Sequence, residues 1–174
     1  MSVTLNVENQ FHMVNGRILV VIHGVEKNLS TSRATGAYSV VWNEEHTLNL
    51  SHRNILSIKT AQSSHTLGLL ALATQMEELK MSNVIIISTS ESVKSIVQQI
   101  PLWKNQQFLR EDKSLMTNHG ILSGLYDLID RNKLELEVMT FSSVQGLLLD
   151  LCQRLVGKAK KLSRERMCEI RAAL

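Results

Sequence analysis

Two groups of side chains in this 174-residue chain have types suited to chemistry. One is a run of hydroxyls, Ser88-Thr89-Ser90-Glu91-Ser92. The other is a set of six histidines, His12, His23, His46, His52, His65 and His119. Hydroxyls beside a base can act as nucleophiles or accept a phosphoryl group, and histidines can hold zinc or carry protons. None of the histidines pairs with another histidine or a cysteine at metal-ligand spacing, so no zinc site is expected. The hydroxyl run immediately precedes Val93, Ile96 and Val97 at helical spacing, where such residues cap a helix, and capping is the better explanation. Cys152 and Cys168 show no redox pattern. Two cysteines make no disulfide framework, and a reducing compartment, cytoplasmic or nuclear, is expected.

The scaffold beneath these residues is set by the apolar pattern. Hydrophobic content of 44% with 20% charged residues and one proline describes one soluble globular domain built of continuous elements. No apolar run reaches the ~18 residues of a membrane span, and no basic-then-apolar leader opens the chain. Val84 to Ile87 is four β-branched residues in a row, a strand covered on both faces, and its polar end turns into a helix that Pro101 is expected to stop. Arg17 to Ile22 is a second such strand, ending in His23-Gly24. Ala37 to Trp42 and Thr47 to Leu50, running on toward Ile55 to Lys59, complete an antiparallel meander. Helices are expected from Ser63 or Ser64, with Leu67, Leu70, Ala71, Met76 and Leu79 inward, then from His119 to Arg131 and from Gly146 to Leu162. Leu134 to Phe141 alternates, as does a strand with one wet face. Residues 1–16 read as an extension with one short edge strand near Val3 to Val7, residues 17–162 as the domain, and residues 163–174 as a separate basic amphipathic helix capped by Ser163.

Strand, strand, strand, helix, strand, helix, helix, strand, helix implies a mixed five-stranded sheet with helices on both faces. That order resembles the ribonuclease H fold, and local motifs agree in sequence over roughly residues 17–160. The family's first strand leads into Asp-Gly-Ser; here it leads into His23-Gly24-Val25. Ala34-Thr35-Gly36-Ala37-Tyr38-Ser39-Val40-Val41-Trp42 is similar to the family's Gly-rich second strand. Thr66-Leu67 stands where the first helix carries Glu-Leu, and Ser88-Thr89-Ser90-Glu91-Ser92-Val93 where the fourth strand ends in Thr-Asp-Ser-x-x-Val. Cys152-Gln153-Arg154-Leu155-Val156-Gly157-Lys158-Ala159 aligns with the last helix.

Ribonuclease H cleaves the RNA strand of an RNA/DNA hybrid with two Mg²⁺ ions held by carboxylates. Such hard cations need negatively charged oxygen ligands. The resemblance places those carboxylates at His23, Thr66, Thr89 and Gln153, none of which is acidic. Asp150 and Glu91 are the nearest replacements, two where three or four are needed. The histidine-bearing loop before the last helix is also missing from Thr140-Phe141-Ser142-Ser143-Val144-Gln145. The resemblance therefore implies a pseudoenzyme of retroelement or viral type, with no catalytic residue, metal or cofactor. His23 and His65 could approach one another at the vacated site, although a histidine that merely fills the space a carboxylate left is the better explanation.

From Arg154 onward seven basic residues face Glu165 and Glu169, a local balance of +5 that leaves −2 for the remainder of a chain whose net charge is +3. Lys158, Lys160, Lys161, Arg164 and Arg166 are candidates to neutralise phosphates of RNA or an RNA/DNA hybrid. Leu162, Met167, Ile170 and Leu174 form an apolar stripe beside them, a candidate surface for a protein partner or a second copy. Two functions are open: an inactive ribonuclease H-like module that binds nucleic acid, or a protein-interaction or dimerisation scaffold docking through its C-terminal helices.

Overall fold

A computed structural model describes residues 1–27, 35–55 and 63–172. Its centre is β3 (Arg17–Lys27), which pairs antiparallel with β4 (Thr35–Val41), itself antiparallel to β5 (Leu50–Ile55). On its other side β3 pairs parallel with β6 (Asn83–Ser88), and β6 with β7 (Glu135–Thr140). The expected sheet of three antiparallel and two parallel strands is therefore present. Helices α1 (Ser63–Glu78), α2 (Glu91–Asn105), α3 (His119–Asn132) and α4 (Leu147–Ala172) connect and cover it.

The unbroken β-branched runs act as two-sided strands. Val20, Ile22, Val84 and Ile86 face a core shared with α1, α2 and α3, whereas Leu19, Val21, Ile85 and Ile87 face α4. The same alternation sets the faces of the next two residues. His23, two residues past Val21, belongs to the α4 face, and Gly24 to the α1 face. A methyl group on Gly24 would lie 2.8 Å from the His65 backbone nitrogen. The missing side chain lets the first turn of α1 rest directly on β3, which brings His65 to the end of that strand.

Several expectations change. Residues 1–16 carry two strands, β1 (Val3–Leu5) and β2 (His12–Val14), and β2 continues into β3 through Met13↔Ile18 and Val14↔Arg17. Phe11 and Val14 are buried, so this segment is part of the domain. The third strand is Leu50–Ile55 because Thr47 and Leu48 turn to present the Asn49 amide, whose carbonyl accepts from the Trp42 backbone at 2.8 Å. The stretch from 56 to 59 lies outside the described residues. Helix α1 buries Leu69, Leu72, Ala73 and Met76, while Leu79 is exposed. Its sequence is apolar nearly all round because both the sheet and α3 cover it, so the expected set is met at Met76 and partly at Leu70 and Ala71, while the most deeply buried positions lie beside it. Helix α2 runs through Pro101 to Asn105. Burial of Ile96 and Ile100 and the packing of Trp103 against the core outweigh the lost backbone hydrogen bond, a cost of about 3 kcal/mol in a helix interior.

Helix α4 does not end at Leu162. Ser163 is fully buried in mid-helix, and its hydroxyl donates to Ser39 Oγ at 3.0 Å while Ser39 donates to the Ala159 carbonyl at 2.7 Å. A serine satisfied sideways by the sheet has no reason to cap a new helix, and the chain continues helical to Ala172.

Candidate functional site

The parallel pairing of β3 with β6 ends at Ile22 opposite Ser88, where β6 stops and β3 runs on beside β4, so the next residues on each, His23 and Thr89, are neighbours. His23 Nδ1 and Thr89 Oγ1 share a hydrogen bond of 2.6 Å. The His65 ring stands edge-on to the His23 ring with centroids 6.0 Å apart, and Thr66 is buried beside it in α1. Three of the four positions the resemblance assigns to carboxylates, His23, Thr66 and Thr89, are thus gathered at the carboxyl end of the sheet, with His65 among them. The serines around Thr89 are occupied locally. Ser90 Oγ accepts from the Ser92 backbone at 3.2 Å as the N-cap of α2, and Ser88 Oγ donates to the Ser90 carbonyl at 2.9 Å.

The fourth position differs. Directly opposed residues on antiparallel strands project to the same face, so His23 lies beside its partner Ser39, beneath Ala159 and Ser163 of α4. The helix positions one step round from that contact are Lys160 and Arg164. Gln153 is exposed on the same flank, seven residues nearer the helix start, about 10 Å away along the axis. Lys160 and Arg164 are near enough for their charge to act on His23.

Electrostatics at the site are governed by burial. It lowers the His23 imidazole to about 4, assisted by the positive charges of His65, Lys160 and Arg164. Burial alone lowers His65 to about 4, and its Nδ1 is a buried nitrogen with no hydrogen-bond partner among the described residues. Both rings are neutral at pH 7. Glu26 lies close by but is engaged: it accepts from the Ser64 backbone at 2.9 Å at the start of α1, and burial raises its pKa. Asp150 and Glu91 lie in the first turns of α4 and α2, both exposed. Among the described residues no three His, Cys, Asp or Glu side chains are placed to hold a metal ion. Cys152 is buried, its thiol pushed up to about 12 by burial, and Cys168 is exposed; both are free.

The two flanks of α4 carry different charge. At about 100° per residue, Arg154, Lys158 and Leu162 share the flank opposite Lys160 and Arg164. There Arg154 pairs with Glu44 at 3.0 Å and Lys158 with Glu45 at 3.3 Å, along a cleft of about 390 Å³ that Leu162 and Arg166 also line. Arg166 donates to Ser51 Oγ at 3.0 Å and pairs with Glu169 at 3.1 Å. Of the five expected phosphate contacts, Lys158 and Arg166 are therefore balanced internally. Lys160, Lys161 and Arg164 are exposed, with no ion pair among the described residues. The acidic counter-residues Glu44 and Glu45 give no signal in the sequence because they lie 110 and more residues from their partners.

The apolar stripe is also settled in part. Met167 is buried, at 5% exposure, whereas Leu162 is half-buried, packing against the core under α4 while lining the cleft beside Lys158. The Ile170 side chain and all of Leu174 lie outside the described residues.

The fold is ribonuclease H-like, and comparison with solved structures agrees. A foamy viral protease-reverse transcriptase in complex with RNA/DNA hybrid superposes with a TM-score of 0.57 at 12% identity, over 83% of this chain and 20% of that longer one. The RNase H domain of PFV gives 0.58 at 12% identity over 84% and 93% of the two chains. The N-terminal RNase H domain of rv2228c from Mycobacterium tuberculosis gives 0.53 at 16% identity over 90% and 99%. No protein-family model matches the sequence, and no curated protein matches it. Among the described residues no helix is long and apolar enough to cross a membrane.

Proposed function

We propose that the chain is a ribonuclease H-like domain that has lost metal-dependent cleavage and binds RNA or an RNA/DNA hybrid through duplex shape and phosphates. The observation that carries this reading is the composition of the strand-end site. One neutral imidazole and two threonines stand where the resemblance implies carboxylates, and a second neutral imidazole lies among them. The flank of α4 over them carries Lys160 and Arg164. Divalent ions need anionic oxygens, and this surface would repel them. The same cations favour phosphate, and the hybrid complex of the foamy viral enzyme shows what one relative in fold binds. Descent from a retroelement or virus and residence in a reducing compartment belong to the same reading, supported by the foamy-virus likeness and the two free cysteines.

The scaffold reading has less support, because Met167 is buried within the chain itself and Leu162 is half-buried against its core. Labelled RNA/DNA hybrid, titrated by anisotropy and then incubated with Mg²⁺ or Mn²⁺, separates the possibilities. Binding that weakens steeply with salt, without cleavage, is expected. Cleavage in either metal would sink the pseudoenzyme reading. No binding even at low salt would return the search to protein partners.

A further inference from the structure

Resting on the nucleic-acid reading, we infer that the unbalanced flank of α4 and the imidazole pair form a seat for one backbone phosphate, held by Lys160 and Arg164 against His23 and His65 with no divalent ion between them. Position and charge carry the inference separately. The position is set by strand register: His23 opposes Ser39, and Ser39 is hydrogen-bonded to both Ala159 and Ser163, so the helix crosses β3 near His23 at the turn that bears Lys160 and Arg164. The charge is set by pairing. The opposite flank neutralises Arg154 and Lys158 with Glu44 and Glu45, while Lys160 and Arg164 have no counter-ion among the described residues.

His65 supplies a further sign of an absent partner. It is 8% exposed, it faces His23 edge-on, and its Nδ1 lacks a hydrogen-bond partner among the described residues. A buried polar nitrogen without a partner is costly, and in the tautomer that carries its proton on Nδ1 the ring can donate to an oxyanion oxygen drawn in by two cations. The start of α1 adds its dipole, although the Ser64 N–H is already taken by Glu26, so the side chains and not the helix terminus supply the donors. Direct seating makes binding indifferent to metal, since the positive charge that ions would bring is built into α4.

The test uses the full chain and a short RNA/DNA hybrid, with affinity measured in EDTA and in Mg²⁺. Wild-type affinity should agree within about twofold between the two. K160E/R164E should lose tenfold or more, and its log–log salt dependence should flatten by about one phosphate's worth, a slope change of roughly 0.9. K160Q/R164Q should lose less in the same direction, and R154A, on the paired flank, should change affinity less than threefold. Inorganic phosphate titrated into the wild type without nucleic acid should shift the His23 and His65 imidazole resonances. Hybrid binding that persists unchanged in both double variants would overturn the seat while leaving the nucleic-acid reading intact, as would binding that requires Mg²⁺. Failure of the wild type to bind hybrid at low salt would overturn both.

Discussion

His23 and His65 are buried as neutral rings near strand ends, and that has a cost in acid. An imidazole with an ordinary value of 6.5 in the unfolded chain and about 4 in the fold binds a proton more readily when unfolded. Stability is therefore level above pH 6.5 and falls as the pH drops toward 4, by at most roughly 1.4 kcal/mol per pH unit for each ring. His12, also lowered by burial, acts in the same direction. Urea midpoints measured between pH 8 and 4 should show this decline, and H65Q should remove a substantial share of it. An unchanged acid slope in H65Q would mean that the ring is solvated. That His23 would stand at the site was legible from the motif order, because it follows the strong apolar run Arg17 to Ile22. That His65 meets it, and that Lys160 and Arg164 act on it, was not. Positions 153, 157, 160 and 164 share one helix flank, and which turn crosses β3 is decided by Ser39 and Ser163, 124 residues apart.

At the scale of elements, α4 departs furthest from its sequence signal. Ser163 resembles a cap, and the basic residues after it resemble a tail, yet Ser163 and Met167 are buried against the sheet. Removing residues 163–174 should therefore destabilise the domain by more than about 2 kcal/mol, the loss expected for one buried Met side chain alone. Thermal unfolding of the truncated chain would show it as a lower midpoint, and an unchanged midpoint would mean that the last turns hold nothing. Pro101 teaches the same lesson in reverse. A residue that ends helices by local rules sits inside α2 because Ile100 and Trp103 on either side are held by the core. Where local and tertiary terms agree, as in β6, α3 and β7, sequence and structure coincide; where packing outweighs them they diverge, as in β3, whose apolar run ends at Ile22 while pairing with β4 carries the strand on to Lys27.

For the whole molecule, the pairing pattern predicts an uneven distribution of stability. The β3–β6 contact joins residues 66 apart and lies covered on both faces, whereas β1 and β2 form a short hairpin at the margin of the sheet. Hydrogen exchange should be slowest at Leu19 to Ile22 and Val84 to Ile87, opening only on global unfolding, and fast at Val3 to Leu5. Equal protection in both regions would show that the N-terminal hairpin folds with the core as one unit.

The cations acting on His23 also set what a metal site here would require. A single change placing an acid at position 23 would set a carboxylate within reach of the charges of Lys160 and Arg164, where internal attraction competes with any incoming ion. Thr66 and Thr89 would need changing as well, and both cations removing, before a divalent ion gained a home.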